Sequence, residues 1–178
     1  MTTTPSKPAT VSTAPVDGLI EVKIRGLMMD PVTNMPIVVL KDIHSDAVVP
    51  IWVGIFEANA IALEIEKTTT PRPMTHDLMI HLIRSMDTVL RRVVITELKD
   101  DTFYAVLWME RESGWISMDA RPSDALALAM RMDCPIFVSD QVARAARLTN
   151  AGAENFSPEE LRRWLENLND EDLGHYKM

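Results

Sequence analysis

Cysteine, glycine and aromatic residues are what this chain has least of: one Cys, six Gly and 6% Phe, Trp and Tyr in 178 residues. The lone Cys134 excludes an intrachain disulfide, and its place before Pro135-Ile136-Phe137-Val138 reads as the entrance to a buried strand. A buried free thiol behaves as a small apolar group, so Cys134 is expected in the core rather than as a nucleophile. No apolar run reaches the roughly 18 residues of a membrane span. The opening Met1-Thr2-Thr3-Thr4-Pro5 has neither the basic start nor the apolar stretch of a secretory signal, and a cytoplasmic protein is expected. Basic charge is scarce as well: 18 Lys and Arg against 26 Asp and Glu give a net charge of −8. That balance opposes broad attraction to polyphosphate, so a nucleic-acid role has to rest on a local basic patch or a bound cation. A Gly-rich phosphate loop, a CxxC pair, HExxH and a nucleophile elbow are all absent from the sequence. The histidines His44, His76, His81 and His175 are scattered, and His76 and His81 would lie about 140° apart around one helix, which disfavours a classical zinc site.

What is present is enough apolar material, 47%, for one ordinary globular domain. Residues 1–17 are dominated by Thr, Pro, Ser and Ala and are expected to be a disordered tail. From Leu19 the texture changes. Ile20-Glu21-Val22-Lys23-Ile24 alternates with period two, and further strands are expected over 36–40, 48–53, 89–98, 102–110, 115–118 and 136–138. Lys99-Asp100-Asp101 and Glu112-Ser113-Gly114 read as hairpin turns. Helical periodicity covers 57–67, where Ala58, Ile61, Ala62 and Ile65 form one stripe, and 75–86, where Leu78, Met79, Leu82, Ile83 and Met86 form another. A third helix is expected over 123–132, with Arg131 answering the dipole at its end. Ser157-Pro158-Glu159-Glu160 is a capping box opening a last helix through Leu168, after a linker over 149–156. The order predicts an α+β fold, a single compact domain over 18–148 with a mainly antiparallel sheet and helices packed against it. Each half reads as three strands followed by a helix, with no residue-level repeat beyond Arg-Pro.

Chemistry is concentrated at helix starts, where unpaired N–H groups and the dipole favour negative charge. Arg72-Pro73-Met74-Thr75-His76-Asp77 and Arg121-Pro122-Ser123-Asp124 each place an arginine and a carboxylate at the mouth of an apolar helix, and Glu57 follows Val53-Gly54-Ile55-Phe56. Were these mouths to meet, Glu57, Asp119 and Asp124 could hold a divalent cation through oxygen, while Arg72, Arg121, Ser123 and Arg131 gripped phosphate. His76, with Asp77, could move a proton near neutral pH. Each residue also has a structural explanation. Glu57, Asp77 and Asp124 sit where carboxylates cap helices, and Arg72 and Arg121 could simply pair with Asp77 and Asp124. Trp52 and Trp108 fall inside strand patterns and are expected in the core, with Trp115 and Trp164 the better candidates for exposure.

Three blocks carry a family resemblance: Pro50-Ile51-Trp52-Val53-Gly54-Ile55-Phe56-Glu57-Ala58-Asn59-Ala60-Ile61, Arg72-Pro73-Met74-Thr75-His76-Asp77-Leu78, and Asp119-Ala120-Arg121-Pro122-Ser123-Asp124-Ala125-Leu126-Ala127-Leu128-Ala129. In this order, within residues 19–148, they resemble the signature blocks of the bifunctional nuclease (BFN) domain family. The resemblance implies a compact α+β domain and a nuclease acting on DNA and RNA with little sequence preference. It carries no catalytic assignment. Some relatives add a UVR-type helical segment, for which residues 150–178 are short.

The first expectation is therefore a phosphodiesterase acting on nucleic acid, assisted by Mg²⁺ or Mn²⁺. In it Glu57, His76, Asp77, Asp119 and Asp124 are catalytic or metal-binding, and Arg72, Arg121, Ser123 and Arg131 bind substrate. The alternative is a non-enzymatic homo-oligomeric binding or regulatory module whose charge clusters are interface ion pairs. A third reading is an enzyme acting on small phosphodiesters.

Overall fold

The computed structural model describes residues 18–31 and 33–152. The expected tail over 1–17, the helix over 157–168, Trp164 and His175 lie outside the described residues.

Seven strands and four helices follow in the order β1 (Leu19–Met29), β2 (Pro36–Asp42), β3 (Val48–Trp52), α1 (Ile55–Ile65), α2 (Thr75–Ser85), β4 (Val89–Lys99), β5 (Thr102–Arg111), β6 (Gly114–Ala120), α3 (Pro122–Met132), β7 (Ile136–Ser139) and α4 (Asp140–Gly152). The strands make one sheet in the order β3-β2-β1-β7-β4-β5-β6, and the fold is α+β as expected. All neighbours run antiparallel except β4 and β7.

Two antiparallel meanders, β1-β2-β3 and β4-β5-β6, thus flank β7, and each is followed by a helix. Because β7 is antiparallel to β1 and parallel to β4, β1 and β4 oppose each other, as a half-turn relation between the two meanders requires. The tight connections follow from turn chemistry. Lys99 pairs with Thr102, leaving Asp100 and Asp101 as a two-residue loop in which both have positive φ, 48° and 57°. That is the type I′ geometry matched to strand twist, and Asp tolerates it better than most side chains.

In β2, Ile37, Val38, Val39 and Leu40 are all buried, so a continuous apolar run replaces alternation. Val38 and Leu40 face the main core with Ile51, Ile61, Val93, Ile95, Leu126 and Leu128. The helices α1 and α3 pack together, and α2 packs on α3. In α2 the buried positions are Ile80 and Ile83, while Leu78, Leu82 and Met86 face solvent, so the stripe read from the sequence is not one buried face. The first turn decides this. His76 and Asp77 both bond to α3, which fixes the rotation of α2 about its axis.

Helix α4 is the element that the sequence reading omits. It occupies Asp140–Gly152, across the residues where a linker was expected to open at Thr149. Among its described side chains Val142, Ala143 and Ala146 are buried, and two of these three are alanine, a weak apolar signal in the sequence. Its start is set by Ser139, whose hydroxyl accepts the Val142 N–H at 3.2 Å as an N-cap. Burial pushes the Cys134 thiol up to about 12, in keeping with a packing role.

Candidate functional site

The three helices that carry the sequence blocks start without a side-chain N-cap: Gly54, Met74 and Arg121 occupy the cap positions of α1, α2 and α3. Each compensates with a carboxylate three residues on, at Glu57, Asp77 and Asp124, where a negative charge is favoured by the dipole. Two arginines then tie these carboxylates across helices.

Arg121 is the first tie. Its Nε and Nη2 donate to Asp124 Oδ2 and Oδ1 at 2.7 and 3.2 Å, a two-pronged contact, and Nη1 donates to Glu57 Oε1 at 2.8 Å. The guanidinium therefore bridges the mouths of α1 and α3. Three of its five N–H groups are engaged, leaving two, and its side chain stays 65% exposed. Hydrogen bonds and charge from Asp124, then Glu57, raise its pKa further. Asp124 is partly desolvated, which alone would raise its pKa. The hydrogen bonds and charges of Arg121 and His76 outweigh that and hold the carboxyl below the usual range. His76 Nε2 lies 3.1 Å from Asp124 Oδ1. Since Asp124 is the ionised acceptor, Nε2 carries the proton of that bond.

Arg131 is the second tie. Nε donates to Asp77 Oδ1 at 2.9 Å, Nη1 to the Ala127 carbonyl and Nη2 to the Ala60 carbonyl, so one side chain joins α1, α2 and α3. Asp77 Oδ2 accepts the Met74 N–H at 2.9 Å, and this bond, with Arg131, keeps its carboxyl below the usual range despite some desolvation. The Arg131 side chain is only 8% exposed. Its donors turn into the protein, so it positions the helices and is not presented to a phosphate.

Of the two pairings that sequence neighbourhood offered, Arg121 with Asp124 is present and Arg72 with Asp77 is not, because Asp77 pairs with Arg131. His76, expected to work with Asp77, bonds Asp124. Arg72 is exposed in the loop before α2, and Asp119 is exposed on the edge strand β6, outside the Arg121 network. Glu57, Asp119 and Asp124 consequently do not form a three-carboxylate site. Among the described residues no three His, Cys, Asp or Glu side chains are placed to hold a metal ion.

Glu57, Arg121 and Ser123 lie along a groove of about 690 Å³ also lined by Ile51, Trp52, Gly54, Thr102 and Phe103. The groove opens over the starts of α1 and α3 and is walled by the β4–β5 turn. His76 and Asp124 stand behind Arg121, outside the lining. Sequence reasoning missed Trp52, which is 45% exposed at the end of β3, not in the core. Trp108 is partly buried, with the Arg92 guanidinium 5.5 Å over its ring. Also missed was the role of Gly54. A Cβ there would stand 2.2 Å from Glu57 Oε2, so the carboxylate folds over a position that only glycine leaves open. The signal was available: a glycine at a helix mouth with an acid three residues on.

Comparison with known proteins adds the lineage. An uncharacterized protein of Mycobacterium tuberculosis is 41% identical over 128 residues, covering 72% of this chain and 76% of the relative. Proteins named Bifunctional nuclease 1 in Oryza sativa subsp. japonica and Bifunctional nuclease in Oryza minuta are each 29% identical over 119 residues, 65% of this chain. The chain spans 36% of the length of each rice protein. The bifunctional nuclease domain profile matches residues 38–151, which include the mouths of α1, α2 and α3; the chain belongs to the bifunctional nuclease domain family.

Proposed function

We propose that the chain is a cytoplasmic nuclease that hydrolyses phosphodiester bonds of DNA or RNA in the groove over α1 and α3. The observation that carries this reading is Arg121, a largely exposed guanidinium in the groove lining, fixed between Glu57 and Asp124 by three of its five N–H groups. An open guanidinium fork matches phosphate oxygens, and the N-termini of α1 and α3 add positive potential. Of the two carboxylates that line the groove, Glu57 and Asp101, Glu57 is the one bonded to Arg121, and it accepts the proton of the attacking water. Asp124 and His76 act through Arg121, holding its plane, and Asp77 and Arg131 hold the three helices in register.

The charge of the site qualifies the chemistry. Glu57 and Asp124 against Arg121 sum to −1 − 1 + 1 = −1 with His76 neutral, and Asp101 on the groove wall adds a further negative charge, so substrate is held by local donors and not by long-range attraction. The expected divalent cation has no ready-made ligand set, since the guanidinium stands between the two carboxylates. A cation joins this reading only where it takes the place of Arg121.

The test is cleavage of labelled single- and double-stranded DNA and RNA by wild type and Glu57→Gln, each with Mg²⁺, Mn²⁺ or EDTA. Cleavage lost in the variant supports the reading, and loss in EDTA alone brings in the cation. Equal cleavage by both proteins places the chemistry elsewhere. Gly54→Ala sharpens the result. Gly54 has φ −71°, open to any residue, and the group a methyl would displace is the mobile end of Glu57. Stability should stay within about 1 kcal/mol of wild type while cleavage falls roughly tenfold or more, because a near 1 Å misplacement of a reacting group is costly.

A second reading, the homo-oligomeric module, draws on the exposed Leu78, Leu82 and Met86 along α2. A dimer by light scattering that Leu82→Glu dissociates, with no cleavage by wild type, would favour it.

A further inference from the structure

We propose that the groove selects unpaired nucleic acid, with Trp52 as the platform on which one base stacks while the adjoining phosphate meets Arg121. This rests on the nuclease reading for its ligand class, but its own claim is about binding.

Trp52 is the last residue of β3, the outermost strand of its end of the sheet, and is 45% exposed in the wall of the groove that holds Arg121. An indole open at a groove offers a large, flat apolar face to whatever enters it. The ring is also tethered. Nε1 donates to Asp30 Oδ2 at 3.0 Å, and the same carboxylate oxygen accepts the Thr33 hydroxyl at 2.6 Å. The ring's polar edge is thus satisfied within the protein and its orientation set, so the apolar surface left to the groove is pre-arranged and little ordering remains for binding to impose. Just after it, at the start of α1, Ile55 and Phe56 are exposed as well, outside the groove lining.

The form of the ligand follows from these parts. A base offers its face only when it is unstacked, and in a duplex both faces are covered by neighbours. A groove of about 690 Å³ takes a nucleotide or two and not a double helix. An aromatic face reads every base alike and one arginine supplies the backbone contact, so binding should show little sequence preference.

Fluorescence anisotropy of a short labelled oligothymidylate and of a labelled blunt-ended duplex of two strands, with probe integrity checked on a gel, tests this in wild type, Trp52→Ala and Trp52→Phe. Trp52→Ala should bind the oligothymidylate about tenfold more weakly, the size of one base–aromatic contact, Trp52→Phe should recover part of the loss, and duplex binding should not change. A matching urea midpoint shows that the variants are folded. Absence of oligothymidylate binding by wild type, no loss in Trp52→Ala, or equal losses on both probes overturns the proposal. Trp52-dependent binding without cleavage upholds it while removing the hydrolytic reading, so the two fail separately.

Discussion

Arg131→Ala should lower the stability of the fold by on the order of 3 kcal/mol, seen as a fall in the urea midpoint with little change in slope. The side chain is 8% exposed and bonds Asp77 of α2, the Ala60 carbonyl of α1 and the Ala127 carbonyl of α3. Truncation leaves two helix carbonyls and the Asp77 carboxylate, itself a third exposed, without that donor and opens a gap where a buried side chain tied three helices, and an acceptor left unmatched costs more than its bond contributes. Lysine would not restore it, because one ammonium cannot reach three acceptors lying in the plane of a guanidinium. The same pair sets an acid limit. Asp77 has its carboxyl held below the usual 3.8, first by the Met74 N–H and then by Arg131. A depressed carboxyl contributes stability in full above its unfolded value and loses it as pH falls through the folded one. Wild type should therefore start to lose this contribution only below about pH 4, and the acid limb of the stability curve should be shallower in Arg131→Ala.

Why Arg131 rather than Arg72 carries this load shows how far the sequence could be read. The strands, the two hairpin turns and the helices α1 to α3 were legible because period-two and period-3.6 patterns are local, and Pro122 at the first helical position marks the start of α3. So was the gathering of acids at helix mouths, which follows from the dipole alone. The partners were not legible. Asp77 and Arg131 are 54 residues apart, His76 and Asp124 are 48, and Arg121 and Glu57 are 64, so their pairing depends on how three helices cross. Sequence neighbourhood favoured Arg72 with Asp77 because it sees only adjacency. Helix α4 was lost for a different reason: two of its three buried described side chains are alanine, which marks a buried face weakly, and it packs on β1, β3, β4 and β7, partners that local pattern does not show. Trp52 misled because a strand pattern does not reveal which strand ends the sheet, and β3 does so only through the topology.

Arg121→Ala should reduce cleavage by about 10²- to 10³-fold, the loss typical of removing one preorganised donor from a developing phosphate charge. The variant should still fold. Arg121 is 65% exposed and an ion pair so placed contributes little to stability, so the urea midpoint should move far less than in Arg131→Ala. What changes is local: Glu57 and Asp124 keep their charges and lose the cation between them, so the mouth goes from −1 to −2 with His76 neutral. Arg121→Lys should recover little, since an ammonium keeps the charge but not the two-pronged contact with Asp124 and the simultaneous reach to Glu57. His76→Ala removes only the bond behind Asp124 and should cost less than either, consistent with a residue that acts through its neighbour. The alanine variant also settles the place of a cation. With the guanidinium gone, two carboxylates on facing helix starts become available to an oxygen-seeking divalent ion. Cleavage by Arg121→Ala that Mn²⁺ restores, beside a wild type indifferent to EDTA, would mean that positive charge at this point is what the chemistry needs and that the arginine supplies it. Full cleavage by the variant without added metal would remove Arg121, and the groove with it, from the reaction.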